Sequence, residues 1–376
     1  MPADGAGDIG TAAATGENTA FPVTPGHEVA GVIAETGDDV EGWAVGNRVA
    51  VGWFGGSCGR CPHCRTGDVV HCAERKIPGR SYPGGWAQNI TVPADALARI
   101  PDGLVLFDAA PFGCAAVTAF NAIRKAGIRA GGRVAVFGIG GLGHLAVQFA
   151  AALGYETVAI ARGGDREQRA RDLGAHEYID SAAQAPGTAL KKLVGADLIV
   201  HTASSTAPVD ELLTGLATHG QLTLVGVDAG SLTVPAARLV MNGHTLTGHL
   251  TGSPRETEEA MAFAVTTGVC PVIERMPLEQ AGEAVTRLRS GAPASASSSA
   301  PPSAAGSRPP RLPHASATRP AGRLLLDPVQ HHRRQRGFSL RRDGAIHVLP
   351  GMPRGRGDRC RGLRTGRGHR AARRRR

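Results

Sequence analysis

Residues 133–154 read "RVAVFGIGGLGHLAVQFAAALG". An apolar run of strand length leads into a turn with glycines at 138, 140, 141 and 143, and then into an apolar stretch of helix length. Gly138, Gly140 and Gly143 make a G-x-G-x-x-G pattern, with Gly141 and Leu142 completing the turn. In a strand–turn–helix setting each glycine has its own task. Gly138 permits the tight turn, Gly140 lets the backbone approach a pyrophosphate, and Gly143 lets helix and strand pack closely. The start of the helix then offers N–H donors to the phosphates. A glycine-rich turn with no ligand is the plain alternative to this dinucleotide reading.

The rhythm continues downstream. "TVAIA" is followed by "REQRARDLGA", and then "EYID", "ADLIVHTA" and "QLTLVGV" recur with helical stretches between them. Strands alternating with amphipathic helices predict a parallel sheet covered on both faces. The end of the strand after the glycine turn selects the dinucleotide, because an Asp or Glu there pairs with the ribose hydroxyls of NAD. Here that position is Ala161, followed by Arg162. A missing acid beside an arginine favours a 2′-phosphate, hence NADP(H) over NAD(H). Asp165 could still reach a ribose if the loop curls back.

Upstream, from about Phe21 to Pro101, "HEVAGVIAETG", "NRVAVGWFGG" and "GWAQNITVPADALARI" read as short strands broken by Gly and Pro, the mark of a small barrel-like β domain. Within it "CGRCPHCRTGDVVHC" places Cys58, Cys61, Cys64 and Cys72 at spacing C-x2-C-x2-C-x7-C. One irregular loop can wrap four such thiolates tetrahedrally around Zn²⁺, leaving no open position. The expected role is a structural clip. An iron–sulfur cluster or a redox pair also suits Cys-x2-Cys spacing.

Composition sets the outer bounds. The 376 residues allow about two domains. The first residues carry acids and neither a basic region nor an apolar run, and no long apolar run suggests a membrane span. A cytoplasmic setting is expected, where clustered thiols stay reduced. The net charge of +10 is unevenly placed: residues 291–376 hold 20 Arg, no Lys and three Asp, so they carry +17 and leave −7 for the rest. This Arg/Pro/Ser-rich stretch is read as a disordered tail, since its composition offers no core to bury. Its arginines raise the alternative of a catalytically silent zinc- and nucleotide-binding protein whose tail contacts nucleic acid. The tail lacks interleaved aromatics and any RNA-binding motif, so nucleic acid is not the expected partner.

"PGHEVAGVI", the four-cysteine loop, "GGWAQ", "GCAAVTAF" and "GIGGLGHLAVQFAAALG" stand in one order. That ordered set resembles the zinc-dependent alcohol dehydrogenases of the medium-chain dehydrogenase/reductase family, over about Phe21 to Ser290. The resemblance implies an α/β protein: a GroES-like β-barrel catalytic domain plus a Rossmann doubly wound parallel-sheet domain. The expected organisation is an unmatched segment at 1–20, the catalytic domain at 21–115, the nucleotide domain at 116–270, a return to the catalytic domain at 271–290 and the tail at 291–376. It also implies hydride transfer between NAD(P) and a primary alcohol or aldehyde, in a homo-oligomer. His27 and Cys114 would be ligands of a second, catalytic zinc, and Glu28 would lie beside the metal or exchange onto it. Thr118 and Val225 would be nicotinamide neighbours.

Two departures accompany the match. The family's Cys-Gly-x-Cys-His-Ser/Thr-Asp segment, whose second cysteine supplies the first catalytic-zinc ligand, has no counterpart upstream of His27. Two matched ligands remain where three are usual, so weak catalytic zinc is expected. The early barrel strands and the closing apolar strand are likewise unmatched, which predicts an incompletely paired barrel. A shifted reading frame near residue 292 and a mis-set start would account for both.

Overall fold

The structure, a computed structural model, describes residues 22–226, 230–290, 337–341 and 345–348. The first domain carries strands β1 (Val29–Thr36), β2 (Arg48–Val51), β3 (Asn89–Pro93) and β4 (Leu97–Arg99). β1 and β2 pair antiparallel with Val29 opposite Val51, and β2 pairs with β4. Alternate residues of these strands, Val29, Ile33, Val49, Val51, Ile90, Val92 and Leu97, close one small core. This period of two is what a sheet with one buried face requires.

The second domain contains β5 (Arg133–Phe137), β6 (Glu156–Ala161), β7 (Glu177–Asp180), β8 (Ala196–His201), β9 (Leu216–Leu224) and β10 (Thr245–Gly248). They form a parallel six-stranded sheet in the order β10-β9-β8-β5-β6-β7. The order reverses between β5 and β8, and such a switch point opens a crevice at the carboxyl ends of the strands. Both faces are buried. Val134, Val136, Ala159, Leu198 and Val200 point into one core, while Ala135, Val158, Ile160 and Ile199 point into the other. Each fully buried Val, Leu or Ile contributes roughly 1.5–3 kcal/mol, so the near-continuous apolar strands hold the crevice on a rigid floor.

Helix Pro254–Thr267 follows β10. Its start is set by a reciprocal capping box between Ser253 and Glu256 with Pro254 in the first turn, and its end by Gly268 in the left-handed conformation at φ 81°. The chain then passes through residues 269–273 to β11 (Glu274–Pro277) and helix Ala281–Ser290. Among the described residues, no single helix is long and apolar enough to cross a membrane.

Two short strands lie within the stretch read as a disordered tail, most of which is outside the described residues. β12 (Gly337–Arg341) runs antiparallel to both β1 and β3, giving a five-stranded sheet ordered β3-β12-β1-β2-β4. β13 (Ala345–Val348) pairs with β11. The expectation of an unpaired barrel edge is corrected with it, since β12 bridges β1 and β3. The physical reason is local: open strand edges are templates for any extended segment that can pair. "GFSLR" alternates apolar and polar residues within an otherwise Arg- and Pro-rich text. The rest of the expected tail, and the segment at 1–20, lie outside the described residues.

Candidate active site and metal clip

The four-cysteine loop folds on its own thiols. Cys61 caps helix Pro62–Arg65, its Sγ accepting the Cys64 N–H at 3.5 Å, and the Cys58 N–H donates to Cys72 Sγ at 3.4 Å. The Sγ atoms lie 3.5 Å apart for Cys61 and Cys64, 3.6 Å for Cys58 and Cys72, and 4.0 Å for Cys58 and Cys64. A tetrahedral zinc with Zn–S bonds of about 2.3 Å needs sulfurs about 3.8 Å apart, so the loop fits the ion. The thiols differ in readiness. The Cys64 N–H brings the Cys61 thiol down to about 6, a backbone bond from Arg60 lowers Cys58, and burial pushes Cys72 up to about 11. A divalent cation would supply the charge that holds all four as thiolates.

Among the described residues these four cysteines are the only group of three or more His, Cys, Asp or Glu ligand atoms lying within 4.8 Å of one another. His27, Glu28 and Cys114 do not close into such a group. They are nevertheless drawn into one neighbourhood. His27 and Glu28, both buried, immediately precede β1. Glu28 Oε1 accepts the Ala115 N–H at 3.0 Å, which ties that segment to the turn carrying Cys114. A second tie comes from Gly52 after β2: the Trp53 N–H donates to Gly113 O at 3.1 Å, and a Cβ on Gly52 would sit 1.9 Å from that oxygen. Only glycine allows the end of β2 to lie against the Cys114 turn. Cys114 in turn packs against the apolar cluster of Trp53, Val70 and Ile77.

Cys114 stands at the start of helix Ala115–Arg124, one turn before the buried Thr118, whose hydroxyl donates to Leu250 O at 3.4 Å. A cleft of about 520 Å³ opens beside this contact, lined by Val69, Val70 and His71 of the cysteine lobe and by His249, Leu250 and Thr251. Val225, buried, follows β9, its N–H bonded to His201 O at the end of β8.

The glycine turn differs in steric room from one position to the next. Gly138 has φ 92°. A Cβ on Gly143 would fall 1.8 Å from Gly138 O, whereas a Cβ on Gly140 would meet no atom within 4 Å. Protein packing therefore demands glycine at 138 and 143, and at 140 it leaves an open approach beside the helix start. That vacant approach fits a pyrophosphate. Leu142 is buried and Gly141 half-buried beside it. At the end of β6 Ala161 is buried and Arg162 exposed. The loop beyond does curl: Gly163 at φ 89° donates its N–H to Asp180 Oδ1 at 2.8 Å, its carbonyl accepts Tyr178 Oη–H at 2.6 Å, and Asp165 Oδ1 lies 2.6 Å from where a Gly163 Cβ would be.

Several residues of this site escape a reading of the chain alone. Thr202 reaches the carbonyls of Phe137 and Gly138 at 3.1 and 2.8 Å and pins the turn from β8. Asp180 and Tyr178 shape the loop bearing Arg162 from β7. His144 and Gln148, on helix Gly143–Ala152, contact a segment more than 120 residues away. No local pattern announces a partner at that distance. A polar residue on an otherwise apolar helix face was the available signal.

Comparison with known proteins gives the family. Residues 6–102 match the alcohol dehydrogenase GroES-like domain and residues 141–266 the zinc-binding dehydrogenase domain. The first match begins ahead of Phe21, where the sequence reading starts the resemblance. Alcohol dehydrogenase notN of an Aspergillus species is 41% identical over 271 residues, spanning 72% of this chain and 80% of that one. A cinnamyl alcohol dehydrogenase structure from Sorghum bicolor superposes with a TM-score of 0.67 at 31% identity, covering 72% of this chain and 80% of the other. The structure of CAD from Helicobacter pylori complexed with NADP(H) gives a TM-score of 0.69 at 26% identity over 77% and 86% of the two chains. The chain belongs to the zinc-dependent alcohol dehydrogenases of the medium-chain dehydrogenase/reductase family.

Proposed function

We propose that this chain exchanges hydride between a nicotinamide coenzyme, NADP(H) in preference to NAD(H), and a small primary alcohol or aldehyde. The observation that carries the reading is the open approach over Gly140, framed by the two glycines that packing requires and placed at the switch point of the sheet. Gly138, Gly140 and Gly143 would hold the coenzyme's pyrophosphate at the helix start, and Thr118 and Val225 would neighbour the nicotinamide, which would supply or accept the hydride. Glu28 acts by orientation: its carboxylate on the Ala115 N–H keeps the His27 and Cys114 segments together.

NADP(H) is preferred because Arg162 stands exposed directly after buried Ala161, and a guanidinium suits a phosphate better than a diol. The Helicobacter pylori relative was solved with the same coenzyme. Arg162→Ala is expected to weaken NADPH binding about tenfold, the loss of one charge-assisted contact, while leaving NADH affinity within twofold. Fluorescence titration of both coenzymes checks this. Equal losses for the two would sink the preference.

Zinc at the cysteine loop is structural, with Cys58, Cys61, Cys64 and Cys72 as its ligands. A catalytic zinc would act as a Lewis acid on the carbonyl oxygen, but His27 and Cys114 offer two donors where three are usual, and one Glu28 oxygen is committed to Ala115. The chain therefore binds about one zinc, and its alcohol oxidation is weak although coenzyme binding is intact. Elemental analysis of purified protein alongside aldehyde-dependent NADPH oxidation tests this. Two zinc per chain with brisk turnover would refute it. The same reading takes the protein as a cytoplasmic homo-oligomer, the assembly being checked by light scattering. The silent, nucleic-acid-contacting alternative is not favoured, since the relatives are dehydrogenases.

A further inference from the structure

Helix Gly143–Ala152 begins inside the phosphate turn, and its second residue faces two ways. His144 is buried, and its Nδ1 lies 3.0 Å from Gly140 O. On the other side of the ring the Val272 N–H donates to Nε2 at 3.0 Å. Because Nε2 accepts, the ring hydrogen sits on Nδ1, and His144 donates to the carbonyl of Gly140, whose surroundings are open. Burial brings the imidazole down to about 4, so the ring is neutral and holds this tautomer at any ordinary pH.

One turn along, Gln148 completes a clamp on the same segment. Its Nε2 donates to Cys270 O at 2.9 Å and its Oε1 accepts the Cys270 N–H at 3.1 Å. Nε2 also donates to the main-chain carbonyl of His144 at 3.2 Å, which fixes the Gln148 side chain on its own helix. Residues 269–273 are the crossover by which the chain leaves helix Pro254–Thr267 for β11. Two side chains at i and i+4 thus fasten the backbone of that crossover to the helix that opens on the phosphates.

We infer that His144 is a positioning residue that couples coenzyme binding at Gly138–Gly143 to the crossover Cys270–Val272, each stabilising the other's conformation. The inference rests on the coenzyme reading above. Two sites joined through one rigid group must influence each other equally, and couplings of this kind typically amount to about 5- to 150-fold in affinity.

The test pairs coenzyme titration with amide hydrogen exchange of the peptide covering 268–275, using NADP+ on the whole chain below its melting temperature. In the unaltered protein NADP+ is expected to slow exchange of that peptide about tenfold, within the coupling range above. In His144→Leu the coenzyme should bind roughly tenfold more weakly and no longer protect the peptide. A purely structural role would lower the melting temperature without uncoupling the two readouts. If His144→Leu fails to fold, His144→Asn serves: its amide can still donate to Gly140 O but cannot span to Val272, so protection should be lost and, by the same reciprocity, coenzyme affinity should fall by a comparable factor. Persistent coenzyme-induced protection in either variant overturns the coupling. Absence of protection in the unaltered protein overturns the coupling alone, whereas failure to bind either NADP+ or NAD+ overturns the coenzyme reading and the coupling together.

Discussion

Cys72→Ser is expected to lose the bound zinc entirely and to lower the melting temperature by about 10 °C or more, while Cys114→Ser retains the metal. The reasoning begins with the sulfurs. Separations of 3.5, 3.6 and 4.0 Å within the loop leave room for one tetrahedral ion and for nothing larger. Where metal binding and folding coincide, structural zinc is worth roughly 10–16 kcal/mol, and even a third of that lowers the melting temperature by about 10 °C at ~2–4 °C per kcal/mol. Cys72 is the buried member of the set, so its loss opens the loop from inside.

The pH dependence has a definite sign. The Cys61 thiol is depressed to about 6 from an ordinary 9.0. Its thiolate therefore contributes fully above about 9, and that contribution is lost as pH falls through about 6. Protons compete with the ion for this thiolate, so acid should release the metal at pH values below about 6. Elemental analysis and a melting curve at a series of pH values decide the matter. Metal retained in Cys72→Ser, or released by Cys114→Ser, would mean the ion is held elsewhere.

How much of this was legible beforehand divides along the range of each interaction. The two domains, the doubly wound sheet and the thiol loop follow from periodicity and spacing within a few residues. The alternation of Val134 and Val136 with Ala135 places them on opposite faces as a period of two demands. The roles of Gly138 and Gly143 were readable because they are steric and local. Gly140 was readable from the G-x-G-x-x-G spacing alone, and a Cβ there would stand in open space.

What was hidden lies in contacts that join distant parts of the chain. Glu28 reaches Ala115 across 87 residues, Thr202 reaches Gly138 across 64, and His144 reaches Val272 across 128. Each is one polar residue whose partner is a backbone atom, and backbone atoms leave no trace in sequence. The strand Gly337–Arg341 was hidden differently. Five alternating residues within Arg- and Pro-rich text cannot bury a core alone, and they become a strand only where β1 and β3 present unpaired edges.

Gly140→Ala and Gly143→Ala are expected to separate binding from folding. At 140 the new methyl would meet no protein atom within 4 Å, and the backbone there needs no left-handed conformation. Alanine should leave the fold intact or stabilise it by roughly 0.4–1 kcal/mol through the unfolded chain. The same methyl occupies the space assigned to the pyrophosphate. Coenzyme affinity should therefore fall roughly 10- to 100-fold, equivalent to about 1.4–2.8 kcal/mol. At 143 the methyl would lie 1.8 Å from Gly138 O, 2.8 Å from its carbonyl carbon and 3.0 Å from Thr202 Oγ1. Backbone cannot yield as a side-chain tip can, so the turn must open. Overpacking of this kind costs roughly 1–3 kcal/mol or more, and both the melting temperature and coenzyme binding should drop. Thermal melts and NADPH titrations on the two variants separate the cases: both affinities and the Gly143→Ala melting temperature should fall, and the Gly140→Ala melting temperature should hold or rise. Unaltered affinity in Gly140→Ala would place the phosphates away from this turn. A stable Gly143→Ala that binds coenzyme normally would show that the turn has slack its glycine spacing denies.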